Sequence, residues 1–544
     1  MSVQPIVSRQ IELARPQRRR QKLFHWNVPA FLLLLAGLLV GALMLLPPAY
    51  LLLRTMGAGQ AAVDILVKPT TIATLGRTVL LAGSVTLASA LLAVPLAWLT
   101  VCTDLPGRRF WAVAAALPLV LPSYVAAYLL VSILGPRGLL QQTLEPLIGL
   151  QRLPDIYGFP GAFLALTLMS YPFTLLTVRA AFKRLDPCLL EAARSLGLSP
   201  WRAFWRVTLP HLRPSIMAGS LLVALYVLRD FGAVAMLRYN TFTRVIYIQY
   251  QSFANRSLAA ALAMVLIGLT AVILYFEMRT RGRAHYARKS VGAARQAPIV
   301  RLGRWRWPAL LFVAAVTLIA LVLPAGGLLY WLLRGLSQGQ ELSLLWQSSW
   351  NSLTVSLMAA LVAVIAALPV AILAVRRPGR LSHLLERLTY SGFALPGIVI
   401  ALAFVFFGAN YARSLYHTLP MLIAAYVILF VPQAVGSARA SLLQIPRSLE
   451  EAGRTLGQQP WQVFRRITLP LLRPGVLAGF GLVFLTCMKE LPATLILSPF
   501  GFRTLATAVW GNISEAFFAQ AAAPALMLIL LSSIPLAILT LRQE

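Results

Sequence analysis

Few residues in this chain are arranged for bond-making chemistry. Five histidines, His25, His211, His285, His383 and His417, are scattered, with no spacing that would bring two onto one metal ion. Cys102, Cys188 and Cys487 lie far apart, two of them in or beside long apolar runs. They read as small apolar fillers, not as a disulfide or a metal set. No G-x-x-x-x-G-K-[ST] run is present to cradle nucleotide phosphates. The sequence therefore predicts a non-enzyme, with no catalytic residues, no metal site and no cofactor of its own.

What recurs instead is a polar loop. Residues 191–214 read EAARSLGLSPWRAFWRVTLPHLRP and residues 451–474 read EAGRTLGQQPWQVFRRITLPLLRP, 15 of 24 identical without a gap. In the first copy Asp186 is placed to cap a short helix starting at Pro187, and Gly197 suits the left-handed position that ends it. Ser199 and Pro200 then open a second helix with Trp201, Phe204 and Trp205 on one face, which Pro210 and Pro214 are expected to end. In the second copy Ser448 and Glu451 fit a capping box, and Gly457, Pro460, Trp461 and Phe464 repeat the pattern. Gly453 replaces the second alanine, lowering helix propensity by roughly 1 kcal/mol. Glu191 and Glu451 suit a helix N-terminus on dipole grounds alone, and Trp201 and Trp461 suit a headgroup layer as well as a protein contact. A duplicated polar loop nonetheless needs a reason to stay alike, and a docking partner supplies one.

Two charged pairs hold matching places beyond the loops: Arg229–Asp230 and Lys489–Glu490. They read as charges at the outer ends of their helices, or as the lining of an outward mouth or a partner contact. Tyr239, Arg244, Phe502 and Arg503 fall in the same outward region.

The elements that must position these residues are set by composition. Of 544 residues 59% are hydrophobic and only 12% charged, and mean hydropathy is +0.77. A water-soluble chain of this size needs more charge to cover its surface, so lipid is the main solvent. Twelve apolar stretches are long enough for membrane helices, near 30–53, 72–100, 110–134, 160–180, 214–232, 257–277, 308–333, 350–374, 390–410, 419–440, 474–495 and 516–541. The apolar run after the N-terminal cluster of Arg9, Arg15, Arg18, Arg19, Arg20 and Lys22 is too long for a cleavable signal. The net charge of +32 concentrates on one side of these stretches. By the positive-inside rule it records orientation, with both termini cytoplasmic, and not a nucleic-acid partner.

The repeat extends upstream, pairing Pro95 with Pro369, Pro106-Gly107-Arg108 with Pro378-Gly379-Arg380, and Leu117-Pro118 with Leu395-Pro396. The register drifts there because the first half carries a longer outward loop near 135–160. With six helices per half, both copies enter from the same side. The expected fold is an all-α membrane protein of about twelve helices in two parallel six-helix repeats. Residues 1–278 form the first repeat with its basic tail, 279–307 a basic linker, and 308–544 the second repeat.

The spacing Glu191-Ala192-Ala193-x3-Gly197-x9-Val207-x-Leu209-Pro210, with Glu451-Ala452-Gly453-x3-Gly457-x9-Ile467-x-Leu469-Pro470, resembles the EAA loop of binding-protein-dependent ABC-importer permeases. Residues 229–246 and 489–505 look like the regions that follow this loop in the fused ferric-iron permeases. The resemblance implies the type I importer permease fold, with Glu191, Ala192, Ala193, Gly197, Trp201, Phe204, Leu209 and Pro210 and their second-half counterparts docking on an ATPase. It further implies two copies of a separate cytoplasmic ATPase carrying ATP and Mg, a periplasmic binding protein, a bacterial inner-membrane location and ferric iron as cargo. Thiamine, sulfate, molybdate and polyamine permeases share the loop. An ion-coupled secondary transporter is the rival from another class; it expects ionisable residues in mid-span, whereas the acids here fall in loops or at helix ends. A membrane scaffold gives no reason for duplicating the loop.

Overall fold

The structure, a computed structural model, describes residues 30–136, 138–149, 152–185, 187–252, 257–281, 299–340, 343–392 and 395–541. The basic N-terminal cluster, Asp186 with its predicted cap, His285 and most of the linker lie outside them. A lipid-facing backbone must satisfy its own hydrogen bonds, which favours helices. Among the described residues the elements are helical, apart from one isolated bridge between Thr103 and Val300.

Ten of the helices are long and apolar enough to cross a membrane. The predicted 390–410 span appears as the shorter apolar helix Gly397–Tyr411, and the predicted 516–541 span as the 24-residue helix Phe518–Leu541. The span predicted over 110–134 is not one helix. It runs as Arg108–Ala114, a 3-10 turn Leu117–Val120, and Ser123–Leu134. Its counterpart divides into Arg380–Ser391 and Gly397–Tyr411. A proline stands where each second helix starts: Pro122 and Pro396 are extended, at φ −66°, ψ 143° and φ −63°, ψ 147°, and each immediately precedes the helix that follows. The upstream match therefore needs correcting. Leu395-Pro396 pairs with Leu121-Pro122, not with Leu117-Pro118, because Pro118 lies inside the 3-10 turn, where its missing N–H is tolerated.

The two halves otherwise repeat closely. Pro69–Cys102 and Ser343–Arg376 each have 34 residues, with Pro95 and Pro369 inside them. Phe159–Arg184 and Leu419–Gln444 each have 26. The longer loop of the first half near 135–160 holds the helix Leu139–Ile148.

The halves also interlock. Ala30–Gly57 packs on Ser343–Arg376, Arg380–Ser391 and Gly397–Tyr411 of the other half. Tyr50 donates to the Phe406 carbonyl at 3.2 Å, and the Arg54 guanidinium lies 5.2 Å from the Phe406 ring centre. Reciprocally, Leu323–Ser337 packs on Ser123–Leu134 of the first half as well as on Phe518–Leu541. The far end of the linker returns to the first half: Val300 N–H donates to Cys102 O at 2.8 Å, and Leu302 N–H to Asp104 Oδ1 at 2.8 Å.

Candidate functional site

Each repeated loop is a short helix, a glycine turn and a second helix. The first helix is Pro187–Ser195 in one half and Arg447–Thr455 in the other. Gly197 and Gly457 end them with φ +84° and +79°. The bonds Leu198 N–H to Ala193 O and Gly197 N–H to Arg194 O form a Schellman turn, repeated by Gln458 to Gly453 and Gly457 to Arg454.

Two sequence expectations fail here. Ser448 and Glu451 do not make a capping box, because the helix begins at Arg447 after Pro446, which puts Ser448 inside its first turn. The box-like contact lies at the next helix, where the Gln462 side chain accepts from Gln459 N–H at 3.0 Å. Nor do Pro210 and Pro214 end the second helix. Pro200–Ala203 passes through a π turn, Phe204–Thr208, straight into Leu209–Arg229, and Pro460–Val463 passes through Phe464–Thr468 into Leu469–Met488. In these turns Leu209 N–H reaches Phe204 O and Leu469 N–H reaches Phe464 O. A proline in a regular helix collides with the carbonyl four residues back. The wider turn relieves that collision just ahead of Pro210 and Pro470.

Burial follows the same pattern in both loops. Ala193, Ala203 and Thr208 face inward, as do Gly453, Val463 and Thr468, whereas Glu191, Ala192, Glu451 and Ala452 face outward. Gly453 has a packing reason. A Cβ there would lie 2.7 Å from Ile467 Cδ1 and 3.2 Å from a Val463 methyl. The matching positions of the first copy hold the larger Ala193 with the smaller Ala203 and Val207, an exchange of volume at the level of sequence. Trp461 stacks on Phe464 with ring centres 5.7 Å apart, and Phe204 meets Trp205 edge-on at 5.9 Å. Beside each turn glycine an apolar residue that sequence reasoning passed over projects outward: Leu196 is 83% exposed and Leu456 82%. Its signal was a leucine kept at the residue before each turn glycine, in a loop read for its charges and aromatics.

The fold brings the two charged pairs together. They line a cavity of about 520 Å³ between the halves, together with Tyr124, Phe173 and Tyr226 from the first half and Gln433 and Thr486 from the second. The helices carrying the pairs stop inside the bundle. Asp230 accepts from Ser123, the first residue after the break in the third span, and from Ala233 N–H at 3.0 Å. Glu490 accepts from Ala493 N–H at 3.3 Å, and the Lys489 ammonium donates to Leu119 O of the opposite half at 3.0 Å. The halves are again complementary. Asp230 meets Ser123, whereas the longer Glu490 lies over Gly397, where a side chain would collide with its Oε1.

Tyr239, Arg244, Phe502 and Arg503 are not part of this cavity. Tyr239 packs on Phe159 and donates to Arg77 O at 3.2 Å, and Arg244 bonds Asn240. Arg503 and Phe502 line a separate and larger hollow of about 1180 Å³ with Trp331, Arg334 and His417.

Residues 93–279 and 359–542 both match the family described as binding-protein-dependent transport system inner membrane component. The chain belongs to that family. It is 36% identical over 515 residues to the Fe(3+)-transport system permease protein FbpB 2 of Haemophilus influenzae, covering 94% of this chain and 98% of that one. The molybdenum transport system permease protein ModB of Escherichia coli strain K12 is 34% identical over 184 residues, 33% of this chain and 79% of that protein. A probable sulfate transport system permease protein of Marchantia polymorpha is 28% identical over 173 residues, 32% of this chain and 59% of that one. The chain is thus an ABC-importer permease with two permease repeats, similar along nearly its whole length to a ferric permease. Family membership also decides against the secondary transporter. The position of the acids does not, since the fold carries Asp230 and Glu490 into the bundle interior.

Proposed function

We propose that this permease moves ferric iron from a periplasmic binding protein across a bacterial inner membrane, with both termini cytoplasmic and ATP hydrolysed on two copies of a separate ATPase. The two loops dock on the ATPases, and the charged cavity is the transit point between the halves. Ionisable residues inside a membrane bundle are costly and are kept mainly along substrate paths. The observation that carries the cargo assignment is the similarity to the ferric permease over 94% of the chain. The cavity supports it: Asp230, Glu490 and the Tyr124 hydroxyl are hard oxygen donors, and the Tyr124 hydroxyl is buried without a hydrogen-bond partner among the described residues. Oxyanion transport is the second reading, favoured by Arg229 and Lys489 in the same cavity.

Radioiron uptake by proteoliposomes holding the permease, its ATPase and its binding protein tests the assignment. ATP-dependent ferric uptake unaffected by excess molybdate or sulfate is expected. Uptake of either oxyanion in place of iron would overturn it.

A further inference from the structure

The two loops are alike in sequence but differ in how they are fastened to the helices behind them. In the second half Glu450 is buried at the start of the loop. The Arg376 guanidinium lies 2.8 Å from its Oε1, with the two side chains only 8% and 6% exposed. Arg376 Nε donates to the same oxygen at 3.1 Å, as does the Thr468 hydroxyl. Arg376 also donates to Ile445 O at 3.2 Å, and Arg447 to Val375 O at 2.9 Å. Since Arg376 is the last residue of Ser343–Arg376, these bonds join the end of a membrane helix to both helices of the loop.

The first half has the same helix, equal in length, but it ends at Cys102. The positions matching Glu450 and Arg447 hold Leu190 and Pro187. None of the three side chains can form an ion pair. Within the bundle behind the loop the halves differ as well. Arg439 Nε lies 2.9 Å from Glu386 Oε1, whereas its counterpart Arg179 donates to a backbone carbonyl, Ala112 O, at 2.8 Å.

We infer that Arg376 and Glu450 are positioning residues that clamp the second loop to its bundle, so that the two ATPase-docking loops of this single chain are mechanically inequivalent. A buried, hydrogen-bonded ion pair fixes direction as well as distance, and breaking it leaves an uncompensated charge. Apolar packing is non-directional and yields to small shifts. The second loop therefore passes movement of its ATPase to the membrane helices as one body, through an ion pair that the residue types at the matching positions of the first loop cannot form. A dimer of identical permease subunits cannot diverge in this way; a fused chain can.

This inference rests on the coupling role proposed above. The test uses the reconstituted complex of permease, ATPase and binding protein. Glu450→Gln is expected to lower iron taken up per ATP hydrolysed about tenfold, with ATPase copurification unchanged. The charge exchange Arg376→Glu with Glu450→Arg is expected to restore much of that ratio. In the wild-type complex, hydrogen exchange is expected to be slower across 447–456 than across 187–196, a readout that needs no variant. Equal protection of the two loops, or an unchanged ratio in Glu450→Gln, would overturn the inference. A wild-type complex showing no ATP-coupled uptake would instead count against the coupling reading itself.

Discussion

Exchange of volume between neighbouring residues lets the two halves differ without changing shape. Gly453 packs against Val463 and Ile467, where the first copy has Ala193 with the smaller Ala203 and Val207 at the matching positions. Asp230 with Ser123 spans what Glu490 spans over Gly397. The glycine that departs from the family spacing is thus a fitted residue, not a weakened one. Overpacking a buried site costs about 1–3 kcal/mol, whereas the gain in helix propensity from glycine to alanine is only about 1 kcal/mol. Gly453→Ala should therefore destabilise the second loop despite the better propensity. Adding Ile467→Val, which restores the first copy's residue, should recover most of the loss. Thermal unfolding of the detergent-solubilised protein, with limited proteolysis within 447–468, measures both. Higher stability in the single variant would contradict the packing account.

The helix–glycine–helix unit is the part of the site most legible in sequence, because its signals are local. A left-handed glycine needs no tertiary contact, and Gly197 and Gly457 both adopt it. The continuation of the second helix through Pro210 and Pro470 was not legible. A proline normally marks a helix end, and only the π turn ahead of it, set by hydrogen bonding along the backbone, allows the helix to pass. That passage makes the loop's second helix and the following membrane helix one rod, and the glycine sets the angle between this rod and the first short helix. No neighbour lies within 4 Å of a Cβ at either glycine, so a substitution there acts through backbone strain alone, of order 1–3 kcal/mol at each site. Replacing Gly197 and Gly457 together by valine is expected to abolish stimulation of ATP hydrolysis by loaded binding protein while leaving membrane insertion intact. Normal stimulated hydrolysis in that variant would refute the lever role.

At the scale of the whole molecule, the duplicated six-helix plan was readable from the matched loops, but the depth of the charged pairs was not. In sequence Arg229–Asp230 and Lys489–Glu490 end apolar stretches, which places them at a membrane surface. In the fold, proline breaks at Pro122 and Pro396 and helices that stop within the bundle bring the same residues into an interior cavity. That cavity exists only where the halves meet, so what holds the halves together governs the site. Covalent linkage through 282–298 is one candidate; the exchange of first helices is another. Ala30–Gly57 packs on three helices of the second half, and Leu323–Ser337 reaches back to the first, while the linker's return at Val300 and Leu302 is tied to the first half at Cys102 and Asp104. If interlocking carries the association, cutting the linker should cost little. A protease site inserted between 285 and 295 and cleaved in the reconstituted complex is expected to leave two fragments that copurify, with iron uptake within about twofold of the uncut protein, since ends already held close by packing lose little to a broken loop. Separation of the fragments, or loss of uptake on cleavage, would mean that the linker and not the exchanged helices keeps the cavity closed between the halves.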